Sequence, residues 1–229
     1  MKRQDLYFAI VMLAIFLPFF LSADLYAAYK EFNAEHSMIM AFAKFALLST
    51  LGEMLGCRIS TGNYTHPTFG VAPRMVVWGL LGMAISMAMT VFSTGIPAFI
   101  AGMGGEELVA DFMREGVSLG KFVVALSISV MMNTFFAPVF MTLHKITDAH
   151  IAECGGSLKA LITPIPMLRL IKGINWDVQW GFIFKKTIPL FWYPAHTITF
   201  MLPGELRVLF AALLGVALGV ILAIGLKKK

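Results

Sequence analysis

The sequence predicts an all-α fold: a polytopic helical membrane protein of about six transmembrane helices, built as a single integral membrane domain over residues 1–229. Three observations carry this. The chain is 59% hydrophobic and only 14% charged, with a mean hydropathy of +0.80, whereas soluble domains run about 45–50% apolar and about 25% charged. Its apolar residues form continuous runs without strand-like alternation, long enough for the roughly 20 residues that a spanning helix needs. The charges that remain flank those runs, with basic residues gathered on one side and acidic residues on the other.

Six runs satisfy the length condition, at about 6–22, 37–57, 75–100, 118–143, 187–203 and 207–226. With the N-terminus placed in the cytoplasm, the inside segments hold Lys2, Arg3, Arg58, Arg74, Lys145, Lys159, Arg169, Lys172, Lys185, Lys186 and Lys227 to Lys229, thirteen of the 18 basic residues. The outside loops hold Asp24, Glu31, Glu35, Glu106, Glu107, Asp111, Glu115 and Glu205, eight of the 13 acids. The positive-inside rule therefore puts both termini in the cytoplasm. It also accounts for the net charge of +5 without a nucleic-acid partner, so the partner is the lipid bilayer.

The first run starts with Lys2-Arg3 and ends near Ser22-Ala23, which is also the shape of a cleaved signal peptide. The run is long for such a core, so the expectation is a retained span, residues 1–35 being an N-terminal addition. In the second run Ser49, Gly52, Glu53 and Gly56 share one stripe. Lys44, nine residues from Glu53, lies about 180° away at roughly 100° per residue; beside Leu47, Leu51 and Leu55 it reads as a lysine snorkelling outward. Residues 106–115 place Leu108, Val109, Phe112 and Met113 opposite mostly acids, as in a short helix at the outer interface. Gly116-Val-Ser118-Leu-Gly120 has the GxSxG spacing but opens a membrane helix, where Ser118 is an N-cap and not a nucleophile. No enzyme is expected.

The fourth run carries Asn133 and Thr134, then Pro138. The inner loop, 144–186, mixes basic and apolar residues with Trp176 and Trp180, as an interfacial segment does. In the fifth run Pro189, Trp192, Tyr193, His196, Thr199, Phe200 and Pro203 form one stripe. Pro194 lacks an N–H and in an α-helix leaves the Leu190 carbonyl unpaired. Such a defect has to face protein or water, not lipid. Pro203-Gly204 makes a tight turn, with Glu205 and Arg207 at the outer rim as solvated charges. In the last run Ala211, Gly215, Gly219 and Ala223 recur every four residues, a groove for close helix packing; it serves another helix of the chain or, alternatively, a homo-oligomer. Cys57 and Cys154 both fall on the cytoplasmic side, where thiols stay reduced, and the five histidines show no metal spacing. Neither a metal nor a cofactor is expected.

These residues resemble the Mpv-seventeen and 22-kDa peroxisomal membrane protein family, which includes the Woronin body protein. That family's signature runs Trp-Pro, Asn-Phe, then Val-Pro with an arginine four residues on. Tyr193-Pro194, Thr199-Phe200, Leu202-Pro203 and Arg207 occupy those places. Gly52-Glu53 is similar to a Gly-Asp in the family's first helix, Arg74 with Gly82 to its arginine-led second, and Phe136-Ala137-Pro138 to a Phe-Ala-Pro in its third. The resemblance covers residues 44–226 and is specific in the last forty or so. The departures are a Pro194–Pro203 spacing two residues short, Met132-Asn133 for Asp-Gln, Cys57 for glutamine and Leu218 for tryptophan. The family has four spans, so the first run is extra. The resemblance implies a weakly selective channel for small solutes in a peroxisomal or mitochondrial inner membrane; the charge pattern suits a bacterial plasma membrane equally.

Membrane-embedded polar residues default to function. The expectation is a channel-like or transporter-like protein passing small polar solutes or ions, with His196, Glu53, Asn133, Thr199 and Tyr193 lining its path. The alternative is a structural membrane protein whose polar core is dry and fully packed. An inverted three-plus-three repeat would place the second and fifth spans in matching positions, although the halves share no detectable similarity.

Overall fold

In the computed structural model, the structure describes residues 3–227, without the side chains of 218 and 220–227. The described chain is helical throughout and contains no strand. Among the described residues, four helices are long and apolar enough to cross a membrane: α1 (Arg3–Leu21), α3 (Ser37–Thr61), α4 (Val71–Gly102) and α6 (Leu119–Glu153). Between them lie α2 (Ala23–Glu35) and α5 (Glu106–Met113). A 3-10 turn (Leu158–Leu161) and α7 (Met167–Gly173) follow α6. Next, α8 (Trp176–Val178) runs without a break through a π-helical stretch (Gln179–Trp192) into α9 (Tyr193–Met201), and α10 (Gly204–Lys227) closes the chain.

Helix α3 is the axis of the bundle, packed on one side by α4 and on another by α10, while α6 packs against α4, α5 and α9. Small residues permit the α3–α10 contact. A Cβ added to Gly52 would lie 3.0 Å from Val216, and one on Gly219 would lie 3.5 Å from the Gly52 carbonyl oxygen. The stripe Ala211, Gly215 and Gly219 thus packs within the chain, near Ser49, Gly52 and Gly56; the surroundings of Ala223 lie outside the described residues. The α1 helix buries no residue. Its Asp5 pairs with Arg58 at 2.7 Å, fixing the start of α1 beside the end of α3.

The two ends of the bundle are built differently. At one end, α5 seals the α4–α6 connection, with Phe112 buried in a core cluster that includes Phe45, Leu48, Val124, Ile128, Met132 and Phe200. Ser118 N-caps α6 there, accepting from the Lys121 N–H at 3.0 Å. At the other end, the turn before α4 presses on the chain after α6. Gly70 (φ 67°) has Gly156 so close that a Cβ would meet its Cα at 2.8 Å, and only glycine suits both the conformation and the contact.

Four expectations need correction. Lys44 does not snorkel outward: it is 7% exposed, bonded to Asn33 Oδ1 and set over the Tyr29 ring at 5.2 Å. The reason is α2, which folds back over the start of α3 and covers the face that helical periodicity assigns to lipid. Arg207 is no solvated rim charge; it donates to the carbonyls of Leu202 (3.0 Å) and Phe200 (3.1 Å), satisfying the frayed end of α9. The segment after residue 143 is not a loop, because α6 continues to Glu153. Finally, the turns leading to Pro194 are not α-helical, the geometry on which the Leu190 expectation rests. The preceding turns bond in an i→i+5 register, ending with the Tyr193 N–H on the Ile188 carbonyl, so Pro194 falls opposite the Pro189 carbonyl. Ser129 of α6 donates to the Tyr193 carbonyl at 2.8 Å. A neighbouring helix thus supplies a donor at the irregular backbone, the condition under which such backbone is tolerated in a membrane.

Candidate functional site: a polar-floored cavity

A cavity of about 290 Å³ lies between α3, α4, α6, the π-helical stretch, α9 and α10. Its walls come from Phe45, Ser49 and Glu53 of α3, Trp78 and Ile85 of α4, and a long strip of α6 from Met132 through Asn133, Phe136 and Phe140 to His144 and Lys145. Gln179, Ile183, Thr187 and Trp192 face them from the π-helical stretch, with His196 from α9 and Ala211, Gly215 and Gly219 from α10. From Met132 to Lys145 the strip on α6 covers about 20 Å at roughly 1.5 Å per residue. The small residues of α10 serve twice, bringing α3 close and leaving room on the cavity side.

One end of the cavity carries a charge cluster. Arg74 donates from Nη1 to a Glu53 carboxylate oxygen and to Asp148 Oδ1 at 2.5 Å. Its Nε donates to the Phe69 carbonyl at 2.6 Å, and its guanidinium lies 4.6 Å from the Phe69 ring centre. His144 Nε2 faces the other Glu53 oxygen at 2.9 Å and Asp148 Oδ1 at 3.6 Å. Its ring centre is 4.4 Å from that of Trp78. One arginine and one histidine thus hold two carboxylates, which leaves the group neutral with His144 protonated and at −1 otherwise. Glu53, His144 and Asp148 could each offer an atom to a metal ion, all within 4.8 Å of one another. The Arg74 guanidinium, however, already supplies the compensating positive charge among them.

The structure sorts the expected lining residues. Glu53, Asn133 and His196 share the cavity; Tyr193 and Thr199 do not line it. The Tyr193 hydroxyl turns to Thr134 on the exposed side of α6, 2.7 Å away, because consecutive helical residues diverge by roughly 100° and Trp192 takes the inward direction. Thr199 is fully buried and donates back to the Ala195 carbonyl at 2.9 Å. His196 stacks on Trp192 with centroids 5.0 Å apart and planes 15° apart. Asn133 donates to the Ser129 carbonyl at 2.8 Å.

Sequence reasoning missed His144, Asp148 and Gln179, all assigned to the inner loop. A signal existed: His144 and Asp148 stand i,i+4, with neither glycine nor proline between Pro138 and Gly155 to end the helix. No protein-family model, curated protein or solved structure matches this chain.

Proposed function

We propose that the chain crosses the membrane six times with both termini in the cytoplasm, and that the cavity is the chamber of a transporter-like path for small polar solutes or ions. α10 and the rod from the π-helical stretch into α9 would supply the spans beyond the four long apolar helices. The observation carrying the reading is in the cavity wall. Glu53, His144, Lys145 and His196 all line it, alongside Asn133 and Gln179. Ionisable residues in membrane-spanning segments are rare and almost always face the bundle interior or a water-filled cavity, where they mark solute and ion pathways. Four ionisable side chains around a single space support a chamber for polar occupants. A packed structural core spreads its polar groups and satisfies them.

Liposome swelling with glycerol, urea or potassium acetate as permeant tests the path. The His196→Gln variant, which keeps most of the buried side chain's volume, should express and melt close to the parent while swelling rates change several-fold. Collapse of this variant in detergent, or a stable variant with unaltered swelling, would count against the chamber as a path.

Sidedness has its own test. Cysteines replacing Lys30 or Glu107 should react from outside intact cells with an impermeant maleimide, while native Cys154 and a cysteine at Lys159 should not. Labelling of Glu107→Cys and Lys159→Cys from the same side rules out six spans.

A further inference from the structure

We infer that the charge cluster at one end of the cavity is a proton-binding site, in which His144 takes up a proton at Nδ1 and so tightens the contact between α3 and α6. This deepens the chamber reading and rests on it, since the proton state of the cluster then sets how readily a solute passes. Arginine keeps its charge at every physiological pH, and histidine is the side chain whose ordinary titration falls between about pH 5 and 8. His144 is therefore the member of the cluster whose charge follows pH.

The hydrogen bonds fix where the proton goes. Arg74 Nη1 donates to one Glu53 oxygen, and His144 Nε2 lies 2.9 Å from the other. An ionised carboxylate only accepts, so Nε2 carries a hydrogen in both states and the added proton binds Nδ1. Before uptake, Arg74 alone serves two carboxylates. After uptake, the Nε2–Glu53 contact joins two charged partners, the stronger kind of bond, and Asp148 Oδ1, 3.6 Å from the same nitrogen, gains a second facing cation. Glu53 belongs to α3 and His144 to α6, and both line the cavity, so the bond draws these helices together at its end.

Access separates this histidine from the other one in the cavity wall. The His144, Glu53 and Asp148 side chains are 17%, 21% and 23% exposed, so water can deliver the proton. His196 is 6% exposed, and its Nδ1 is sealed within the protein. Lys145, next to His144 in sequence, also lines the cavity, whereas the π-helical stretch brings Gln179 and Thr187 and α10 brings Ala211, Gly215 and Gly219, all uncharged. Trp78 reports on the site. Its ring centre lies 4.4 Å from that of His144, and a protonated imidazole quenches an indole in contact with it far more than a neutral one does.

The test is a pH titration of the purified full chain in detergent, read by tryptophan fluorescence. Liposome swelling runs beside it with glycerol and urea, neither of which changes charge over the range. Emission should fall on acidification in one single-proton step between about pH 5 and 8. The step should vanish in His144→Gln and persist in His196→Gln and Asp148→Asn. Parent swelling should be several-fold slower at about pH 5.5 than at about pH 8, and the two rates should be equal in His144→Gln. Trp78→Phe keeps a ring beside His144 and deletes the reporter. It should lose the step yet keep the pH ratio of swelling, which decides the matter if His144→Gln folds poorly. No step in the parent, a step that survives His144→Gln, or one abolished by Asp148→Asn or His196→Gln overturns the proton site. Swelling that ignores pH, quickens in acid, or keeps its pH dependence in His144→Gln overturns the linkage and leaves the path standing. No swelling at any pH removes the path, and the fluorescence step then supports or overturns the proton site by itself.

Discussion

Replacing Arg74 with alanine should destabilise the protein by about 3–5 kcal/mol, as breaking one side of a buried ion pair does. The guanidinium side chain is 10% exposed and those of Glu53 and Asp148 are 21% and 23%, so solvent screens the group only in part. Without Arg74, two carboxylates face each other with His144 as their remaining ion-pair partner among the described residues, and the Phe69 carbonyl loses its donor. A combined variant, Glu53→Gln with Arg74→Met and Asp148→Asn, removes the charges together and should recover much of the loss, because desolvation offsets most of what such a cluster contributes. Thermal or denaturant unfolding in detergent reads both. Equal melting of Arg74→Ala and the parent would show that the cluster is solvated and structurally idle.

The second large effect is expected at Gly82, where a Cβ would lie 2.4 Å from the Cβ of Phe45 and 2.6 Å from its ring. Phe45 is 2% exposed, and the clash involves the root of its side chain, so rotation about χ1 does not relieve it. Gly82→Leu should therefore cost at least the 1–3 kcal/mol typical of overpacking, that is, about 1–3 kcal/mol or more. Gly95→Ala in the same helix meets nothing within 4 Å and should stabilise by about 0.5–1 kcal/mol, the usual helix-interior difference. If Gly82→Leu unfolds at the same temperature as Gly95→Ala, α3 and α4 do not pack as described.

The comparison of sequence with structure turns on which information is local. The long apolar helices could be read from run length, and the Ser118 cap from the residue type at the head of a helix. The stripe Ser49-Gly52-Glu53 followed from 3.6-residue periodicity and does meet other helices. Lys44 could not be placed, because its environment is set by α2, a polar helix with no periodicity that announces where it folds. The charge cluster was half visible. Glu53 stood out as an acid among glycines, and Arg74 entered through a family resemblance, but their pairing with Asp148 joins residues 74 positions apart. At about 100° per residue Trp192 and Tyr193 cannot both face inward, and it is the packing of the rod against α6 that turns Trp192 to the cavity and Tyr193 to Thr134. Aromatic content alone did not reveal that Trp78 and Gln179 face a shared cavity.

The length of α6 has a further consequence. Its 35 residues make a rod of about 52 Å at 1.5 Å per residue, against a hydrocarbon core of about 30 Å. If the capped end at Ser118 marks the outer boundary, as the proposed topology has it, the oily layer ends near Val139 or Phe140, before His144 and Asp148. The cluster then sits at headgroup depth, and the thickness of the host membrane becomes a variable of the protein's chemistry. Longer acyl chains draw the four charged groups toward hydrocarbon, or tilt α6 to prevent it, at a modest cost for each ångström of mismatch. Shorter chains leave them bathed by the interface.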